Sequence, residues 1–470
     1  MQHGNNLKEY TIEAPAEGMD VVPRQVMPQG LSRPFPVGKK TIRQIPAISG
    51  NNLTSAPGGS TIFSLNYGRG AGFMVNGSCY IKLTIAVTQD AGGTWGWAGA
   101  TPNNDASSTI LRATLMAGGT NIEQINQYWL FKGLANAYFT NAAASNVSAL
   151  TSGNVATVQA LQSIPYSQIN IAGTGANGVF NSSNCLPNKL YSSTDSVTVC
   201  IPLALSLLNS THGAYLPLSI LASPLQIQLD WNQAAAAFYS ATQSVTSFSI
   251  SNASIVYETV AVPESYENTL RAQMQAGKLY QLPMECCLTS QFAGGATISY
   301  QLAVNLSSVN AVFVGAIIAN NVGDSSKTKY FSASSGSTSA NDVNTVSLRQ
   351  LYFDGSPVWS GLPLVNTDSQ LASELLRAIT ANCNNGDYSW APSSIGDDAS
   401  LGSFRGSYYV RGFNCRNFSE ESLQGTGMPV SVMNYQENDN LSAASSTYYM
   451  FVLYSATALI DANGAMSVVR

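Results

Sequence analysis

The sequence predicts an all-β fold of two consecutive jelly-roll sandwiches, with an extended N-terminal arm and short helices in the loops. Apolar and polar residues alternate with period two in many short segments, which is typical of strands with one buried face. The order of these segments repeats in the second half, and 470 residues are more than one hydrophobic core usually serves. We therefore expect an arm at 1–44, a first jelly roll at 45–263 and a second at 264–470.

Residues 215–231 show the alternation most clearly. Pro217 and Pro224 interrupt this apolar stretch, which is also shorter than the roughly 20 apolar residues of a bilayer-spanning helix. In its last seven residues every second side chain is apolar, so one face of a strand, including Leu229 and Trp231, is predicted to line a core. Further strands in the first half are predicted at 60–67, 79–87, 109–119, 196–208 and 247–262.

A capping-box pattern predicts one helix in the first half. Thr120 and Glu123 form the T-x-x-E pattern, and Ile122, Ile125 and Trp129 follow at helical spacing. The second half repeats the order of strands followed by a capped helix. Its strands are predicted at 296–304, 309–318, 346–353, 446–460 and 465–469, with an Asn-Gly turn before the last, and its helix begins at Thr367–Gln370 and carries Leu371, Leu375, Leu376 and Ile379. Many short strands with one helix per half indicate jelly rolls with elaborated loops.

The composition predicts a surface that packs against copies of itself. Charged residues make up 10% of the chain, against about 25% in an ordinary globular protein. The 45% hydrophobic content supplies ample apolar area, so the abundance of Ser, Asn and Gly does not indicate disorder. Lys and Glu are depleted from protein interfaces, and a surface poor in them is suited to repeated self-contact.

The charge distribution argues against direct nucleic-acid binding. The net charge is −5, and no stripe of clustered Lys and Arg is present. The arm at 1–44 contains five prolines and a near balance of basic and acidic residues, so it is expected to be extended and to become ordered only against neighbouring molecules.

The cysteines and the N-terminal residues predict folding in a reducing compartment. The seven cysteines form no CxxC motif, and an odd number cannot form a complete set of disulfides. Cys286 and Cys287 are adjacent and are interpreted as small core residues with free thiols. The first 15 residues lack the apolar region of a signal peptide, so the chain is not expected to be secreted.

No catalytic, cofactor-binding or metal-binding residue is predicted. His3 and His212 are the only histidines, which leaves too few for a histidine-based triad or a multi-histidine metal site. Glycosidase chemistry needs two opposed carboxyl groups, whereas the acidic candidates are close in sequence, as on solvated turns. These candidates are Glu264 with Glu267, Glu420 with Glu421, and Asp397 with Asp398.

Two glycine-rich segments and one aromatic pair are also weak evidence for a ligand site. Residues 68–72 and 171–178 resemble phosphate-binding loops only in glycine content, because neither has the sequence that would continue into a phosphate-binding helix. Trp95 and Trp97 could stack on a sugar ring, but protein contact is favoured.

Several longer segments occur in an order that is typical of one family. They are IPLAL at 201–205, LPLSIL at 216–221, LQIQLDW at 225–231, SNASIVYETVAVPESYEN at 251–268, ISYQLAVNLSSVNAVFVGAI at 298–317, NFSEESLQGTGMPVSVM at 417–433 and YYMFVLYSATALIDANGAMSV at 448–468. In this order the chain resembles the double jelly-roll major capsid proteins of the lineage that joins adenoviruses, tailless membrane-containing phages and large eukaryotic DNA viruses. It departs from the family at 410–416, where VRGFNCR replaces a proline–glycine turn.

The resemblance implies a structural role without catalysis. It implies a homotrimer of pseudo-hexagonal outline that builds an icosahedral shell, contacts neighbouring capsomers and minor or penton proteins, and overlies a membrane that the arm could reach. The protein would then reside in the virion and fold in the host cytosol or nucleus. Three alternatives stay open: a minor or vertex capsid protein, a carbohydrate-binding spike that uses Trp95 and Trp97, and a sugar-processing β-sandwich enzyme.

Overall fold

The computed structural model is all-β within the residues that it describes. These residues are 39–98, 105–138, 191–209, 215–240, 243–295, 297–327, 329, 331, 346–358, 375, 377–379, 410–419, 422–439 and 446–470. The predicted arm lies outside them up to residue 38, as does the predicted helix cap at Thr367–Gln370. Leu375 and Ile379 are helical, in agreement with the helix predicted after that cap.

The first half of the chain forms two main antiparallel sheets. The strands of the first sheet are β1 (Lys40–Pro46), β3 (Phe73–Met74), β4 (Tyr80–Gln89), β9 (Ser196–Pro202), β10 (Leu216–Pro217) and β13 (Val245–Val260). They lie in the order β10-β3-β13-β4-β9, and β1 pairs with the opposite edge of β13. Those of the second sheet are β2 (Ser60–Ser64), β6 (Ile110–Ala117), β7 (Thr120–Asn126) and β11 (Leu225–Trp231), in the order β2-β11-β6-β7. A smaller sheet contains β5 (Thr94–Trp97), β8 (Tyr191–Ser192) and β12 (Phe238–Tyr239).

The capping-box prediction in the first half is wrong. Residues 120–126 form strand β7, which pairs with β6, because Gly118 and Gly119 adopt positive φ angles of 55° and 84° and turn the chain back on itself. The helix α1 (Tyr128–Tyr138) begins after Gln127, whose carbonyl accepts from the amides of Leu130 and Phe131. Glu123 does not cap this helix, since its carboxyl oxygens contact the amide and the hydroxyl of Ser206 instead.

Further helices within the described residues lie between strands. The strand predicted at 196–208 ends at Pro202, and a helical turn follows it, since proline cannot donate to a continuing ladder. These helices are α2 (Ser206–Asn209), α3 (Ala234–Ala237), α4 (Glu264–Gln275) and α5 (Ala319–Val322). In the described part of the chain, no helix combines the length and the apolar character that crossing a bilayer would need.

The second half forms one large antiparallel sheet of nine strands. Its main order is β14-β21-β15-β20-β16-β17; β18 pairs with β15, β22 pairs with β21 and the short β19 pairs with β20. The strands are β14 (Tyr280–Ala293), β15 (Thr297–Ile318), β16 (Val346–Phe353), β17 (Ser356–Pro357), β18 (Val410–Asn414), β19 (Arg416–Ser419), β20 (Ser422–Asp439), β21 (Ser446–Ile460) and β22 (Met466–Val469).

The strand β15 replaces two predicted strands and folds this sheet into a sandwich. Its ladder is irregular between Ala303 and Val309, and Asn305 has a φ of 48°. The first half of β15 pairs with β20, and the second half pairs with β21 and β18. The two layers face each other, because the rings of Phe292 and Phe413 each lie 6.1 Å from that of Tyr435.

Candidate functional site

An exposed edge strand is the first candidate for contact with other molecules. The strand β1 hydrogen-bonds to β13 along one side and has no partner strand on its other side among the described residues. Ile42 is 68% exposed and Ile48, just beyond the strand, is 61% exposed. Exposed apolar edges favour pairing with another chain, so this edge is suited to an interface.

The charged residues of this edge strand are few, and the described ones make one ion pair and one hydrogen bond to a hydroxyl. Lys40 forms an ion pair with Glu258, and Nε of Arg43 donates to Oγ1 of Thr259 at 3.3 Å. On the outward face of the same sheet, the hydroxyls of Thr84 and Thr198 lie 2.9 Å apart on neighbouring strands. The face therefore combines hydroxyl groups with a few charges, which suits a surface that packs against other protein.

The junction between the two halves is the second candidate region. Nε2 of Gln127, which follows β7, donates to Oε1 of Gln291 on β14 at 3.1 Å. The amide of Ala222 donates to the carbonyl of Gly464 at 3.1 Å, in the Asn-Gly turn before β22. A Cβ atom at position 464 would lie 2.4 Å from the carbonyl oxygen of Ile220, and φ is 76° there, so the close approach requires glycine.

Aromatic and apolar contacts extend the junction. The ring of Phe131 on α1 lies 6.1 Å from that of Phe451 on β21. The amide of Ser240, in the first half, donates to the carbonyl of Ser325 in the second at 2.9 Å. Buried apolar residues of both halves belong to one contiguous cluster, so the two sandwiches share a core rather than meeting through solvent.

A buried charge network lies inside the second sandwich. Arg411 on β18 and Glu437 on β20 form an ion pair at 2.5 Å with both side chains fully buried. The hydroxyls of Tyr435 and Tyr448 also donate to the Glu437 carboxylate. Burial by itself would raise the pKa of Glu437, but the guanidinium groups of Arg411 and Arg349 outweigh it and lower that pKa. The network joins the two layers and is structural, because it opens onto no solvent.

The predicted aromatic pair does not form a sugar-binding face. Trp95 and Trp97 lie on β5 and are 0% and 1% exposed. The Trp95 ring stacks on Tyr191 at 4.7 Å, and the Trp97 ring lies 5.6 Å from Phe238. Their burial inside this chain leaves neither an exposed platform for a pyranose ring nor a surface for contact with another protein at these residues, so both are core side chains.

The acidic candidates are not assembled into a catalytic pair within the described residues. Glu264 and Glu267 lie in the first turn of α4, where Glu264 pairs with Arg69 at 3.0 Å and Glu267 is buried. In the part of the chain that the structure describes, no group of three or more His, Cys, Asp or Glu side chains could hold a metal ion. The other candidates lie outside the described residues: His3, His212, Asp397, Asp398, Glu420, Glu421 and the loop at 171–178.

The described cysteines are free and mostly buried, as predicted. Cys286 and Cys287 are 1% and 3% exposed, although neighbouring side chains of a strand point to opposite faces. Both faces of β14 are therefore covered at this point, one by the second sandwich and one by the first. Burial raises the pKa of the Cys79 thiol to about 12, so this residue is an inert core side chain.

Solved viral structures share this fold over nearly their whole length. Faustovirus major capsid protein has a TM-score of 0.55 at 8% identity, with 94% of this chain and 92% of that chain covered. PBCV-1 VP54, fitted into a reconstruction of the virophage Sputnik, has a TM-score of 0.55 at 9% identity over 94% and 99% of the two chains. A chain of the Sputnik virophage has a TM-score of 0.53 at 12% identity over 96% and 92%.

These similarities establish the architecture of the chain. No protein-family model matches the sequence, and no curated protein is similar to it in sequence. The fold is nevertheless the double jelly roll of these viral proteins, in agreement with the fold class that the sequence predicts.

Proposed function

We propose that this chain is a viral major capsid protein, the structural subunit of pseudo-hexagonal homotrimers that build an icosahedral shell. The observation that carries the proposal is the double jelly-roll fold, which spans almost the whole of this chain and of the Faustovirus major capsid protein. A low-charge surface with an exposed apolar edge at β1 supports it independently, because shell subunits bury much of their surface against each other. The role requires no catalytic residue.

We further propose that residues 45–263 and 264–470 are the two jelly rolls and that 1–44 is an arm, whose last residues, from Lys40, join the first jelly roll as the start of β1. In support, the last strand of the first sheets ends at Val260, and α4 then leads to β14, the edge strand of the nine-stranded sheet. Three copies of a two-roll chain around a threefold axis place six similar units in a ring. Such a ring would tile a shell hexagonally.

The proposed partners follow from the same role. Copies of the chain contact each other within and between trimers, and minor or penton proteins fill the positions that hexagonal units cannot occupy. The arm contacts a neighbouring subunit, a minor protein or an internal membrane. The protein resides in the virion after folding in the host cytosol or nucleus, and free thiols such as Cys79 and Cys415 are compatible with that reducing environment.

Light scattering of the purified protein tests the proposed role. A homotrimer should show three times the 49.6 kDa mass of one chain and should not dissociate at micromolar concentration. A stable monomer would contradict the proposal. A pentamer would point to a vertex protein, one of the alternatives that the sequence leaves open.

A further inference from the structure

A buried carboxyl group lies where the two jelly rolls meet. Glu123 is on β7, an edge strand of the first roll, and is 2% exposed. Its Oε2 accepts from the amide of Ser206 at 2.7 Å, and its Oε1 lies 2.7 Å from the hydroxyl oxygen of the same residue. That hydroxyl also contacts the backbone carbonyl of Glu285 on β14, which belongs to the second roll.

The number of protons available to these hydrogen bonds indicates the protonation state of Glu123. The Ser206 hydroxyl has one proton, but it faces two acceptors, the Glu123 carboxyl and the Glu285 carbonyl. Both contacts are satisfied if Glu123 is protonated, because it then donates to Ser206 and Ser206 donates to Glu285. With Glu123 ionised, the single Ser206 proton can point to only one of the two oxygens at a time, so the contact between Ser206 and β14 is weakened whenever that proton points to the carboxylate.

The surroundings favour the protonated form. Burial raises the pKa of Glu123 to about 7, and this effect outweighs the hydrogen bonds from Ser206 and Leu207 and the charge of Arg470, all of which lower it. The other titratable groups around Glu123 are thiols and phenols whose pKa burial raises, so they stay neutral near neutral pH. These groups are Tyr128, Cys286, Cys287 and Tyr454. The nearby Glu285 carboxylate is held by Arg416 at 3.3 Å and by Asn310 at 3.2 Å.

We propose that protonated Glu123 is a latch between the two jelly rolls, which holds Ser206 against the backbone of β14 and releases it when the proton is lost. Because the folded protein holds this proton more tightly than the unfolded chain, the latch stabilises the junction most at acidic pH. That stabilisation is lost as the pH rises through about 7. The contact between Ser206 and β14 is therefore more stable at pH 6 than at pH 8.5, and this difference does not depend on the assembly that the chain forms.

The E123Q variant tests whether the protonated form of Glu123, rather than its negative charge, stabilises the junction. A glutamine amide can accept from the Ser206 amide and donate to its hydroxyl at every pH, so it imitates the protonated acid. The measurement is the rate at which a thiol reagent labels Cys286 and Cys287, the residues that follow Glu285, resolved by peptide mass spectrometry. Cys415, buried in the second roll, is the internal reference, and E264Q, at an exposed carboxylate, is the matched control.

At pH 6 the native chain and E123Q should be labelled at Cys286 and Cys287 at the same rate. At pH 8.5 the native chain should be labelled about tenfold faster or more than E123Q, with no such difference at Cys415. E264Q should match the native chain at both pH values. An equal ratio at the two pH values, or faster labelling of E123Q at pH 6, would overturn the proposal.

The native chain alone decides the question if E123Q does not fold. Burial raises the pKa of Cys286 and of Cys415 above the working range, and the charge of ionised Glu123 raises that of Cys286 further, so a change in thiolate fraction cannot make Cys286 react faster relative to Cys415 at pH 8.5. The rate of Cys286 relative to Cys415 should then rise about tenfold if the latch opens. A constant ratio would refute the latch and would leave the proposed capsid role untouched.

Discussion

The residues of β11 show that the predicted two-residue period corresponds to the burial of one face of the strand. Leu225, Ile227, Leu229 and Trp231 are fully buried, whereas the residues between them are partly exposed. The indole of Trp231 donates to Oγ1 of Thr61 at 2.9 Å, so even its polar atom is satisfied inside the core. The stretch at 215–231 is therefore the wall of a core, as its alternation predicts.

Replacing neighbouring residues of this strand should have unequal effects. Leu229→Ala removes fully buried carbon atoms and should lower the free energy of unfolding by about 2–5 kcal/mol. Gln228→Ala loses a partly exposed hydrogen bond to Asp230 and should cost about 1 kcal/mol or less. Urea denaturation of the two variants measures the difference, and equal losses would show that the inward face is wrongly assigned.

The buried ion pair of the second sandwich should make the free energy of unfolding depend on pH in the acidic range. Glu437→Gln leaves Arg411 without its countercharge in the core and should cost about 3–5 kcal/mol at pH 7. Because the pKa of Glu437 is lowered from 4.5 on folding, its contribution is present above that value and is lost as the pH falls below it.

Denaturation at pH 7 and at pH 3 measures this contribution. The gap in unfolding free energy between the native chain and E437Q should shrink at the lower pH. Glu258→Gln is the control, because its ion pair with Lys40 is partly exposed and should contribute about 1 kcal/mol or less. A gap that is the same at both pH values would mean that Glu437 is not ionised in the folded protein.

Among the elements, strands marked by apolar segments between turn residues could be predicted and elements set by distant contacts could not. The strand β16 has the bounds predicted for it, and so does β21. The T-x-x-E pattern at 120–123 is locally consistent with a helix, but the Gly118–Gly119 turn and pairing with β6 place it in a strand. In the second half, two predicted strands are one, because a bulged strand keeps pairing through Asn305.

The candidate site was predictable only in its general character. Low charge indicates a surface for self-contact, but nothing in the sequence marks β1 as the edge that exposes Ile42. Glu123 has the pattern of a helix-capping residue, and its role at the junction depends on Ser206 and Glu285, which lie 83 and 162 positions away in the sequence. Period-two patterns show which face is buried, not which sheet covers it.

The position of β1 defines how much of the arm can be removed. Residues 40–46 pair with β13, so a deletion that preserves the fold should end at residue 38. We expect the chain without 1–38 to remain folded and trimeric but to assemble shells poorly. Light scattering measures the trimer and electron microscopy counts the shells. Loss of the trimer would show that the arm belongs to the fold of the capsomer, and unimpaired shells would show that it is dispensable.

At the scale of the whole molecule, the two sandwiches act as one unit. Their buried residues form one cluster, and the contacts between Gln127 and Gln291 and between Ala222 and Gly464 hold their edges together. A rigid pair of similar units is what a threefold axis needs to produce a pseudo-hexagonal ring. The 10% charged content leaves the outer faces of such a ring free to pack without large desolvation costs.

Electron cryo-microscopy of assembled particles would show whether this chain forms the capsomers of a double jelly-roll shell. A double jelly-roll capsid protein should appear as trimers of pseudo-hexagonal outline, with six upright sandwiches per trimer and strands roughly perpendicular to the shell. The polar segments at 86–108, 141–195 and 320–345 should then lie at its outer end. Strands that lie flat in the shell, or capsomers with one sandwich for each chain, would show that the chain is not a double jelly-roll capsid subunit.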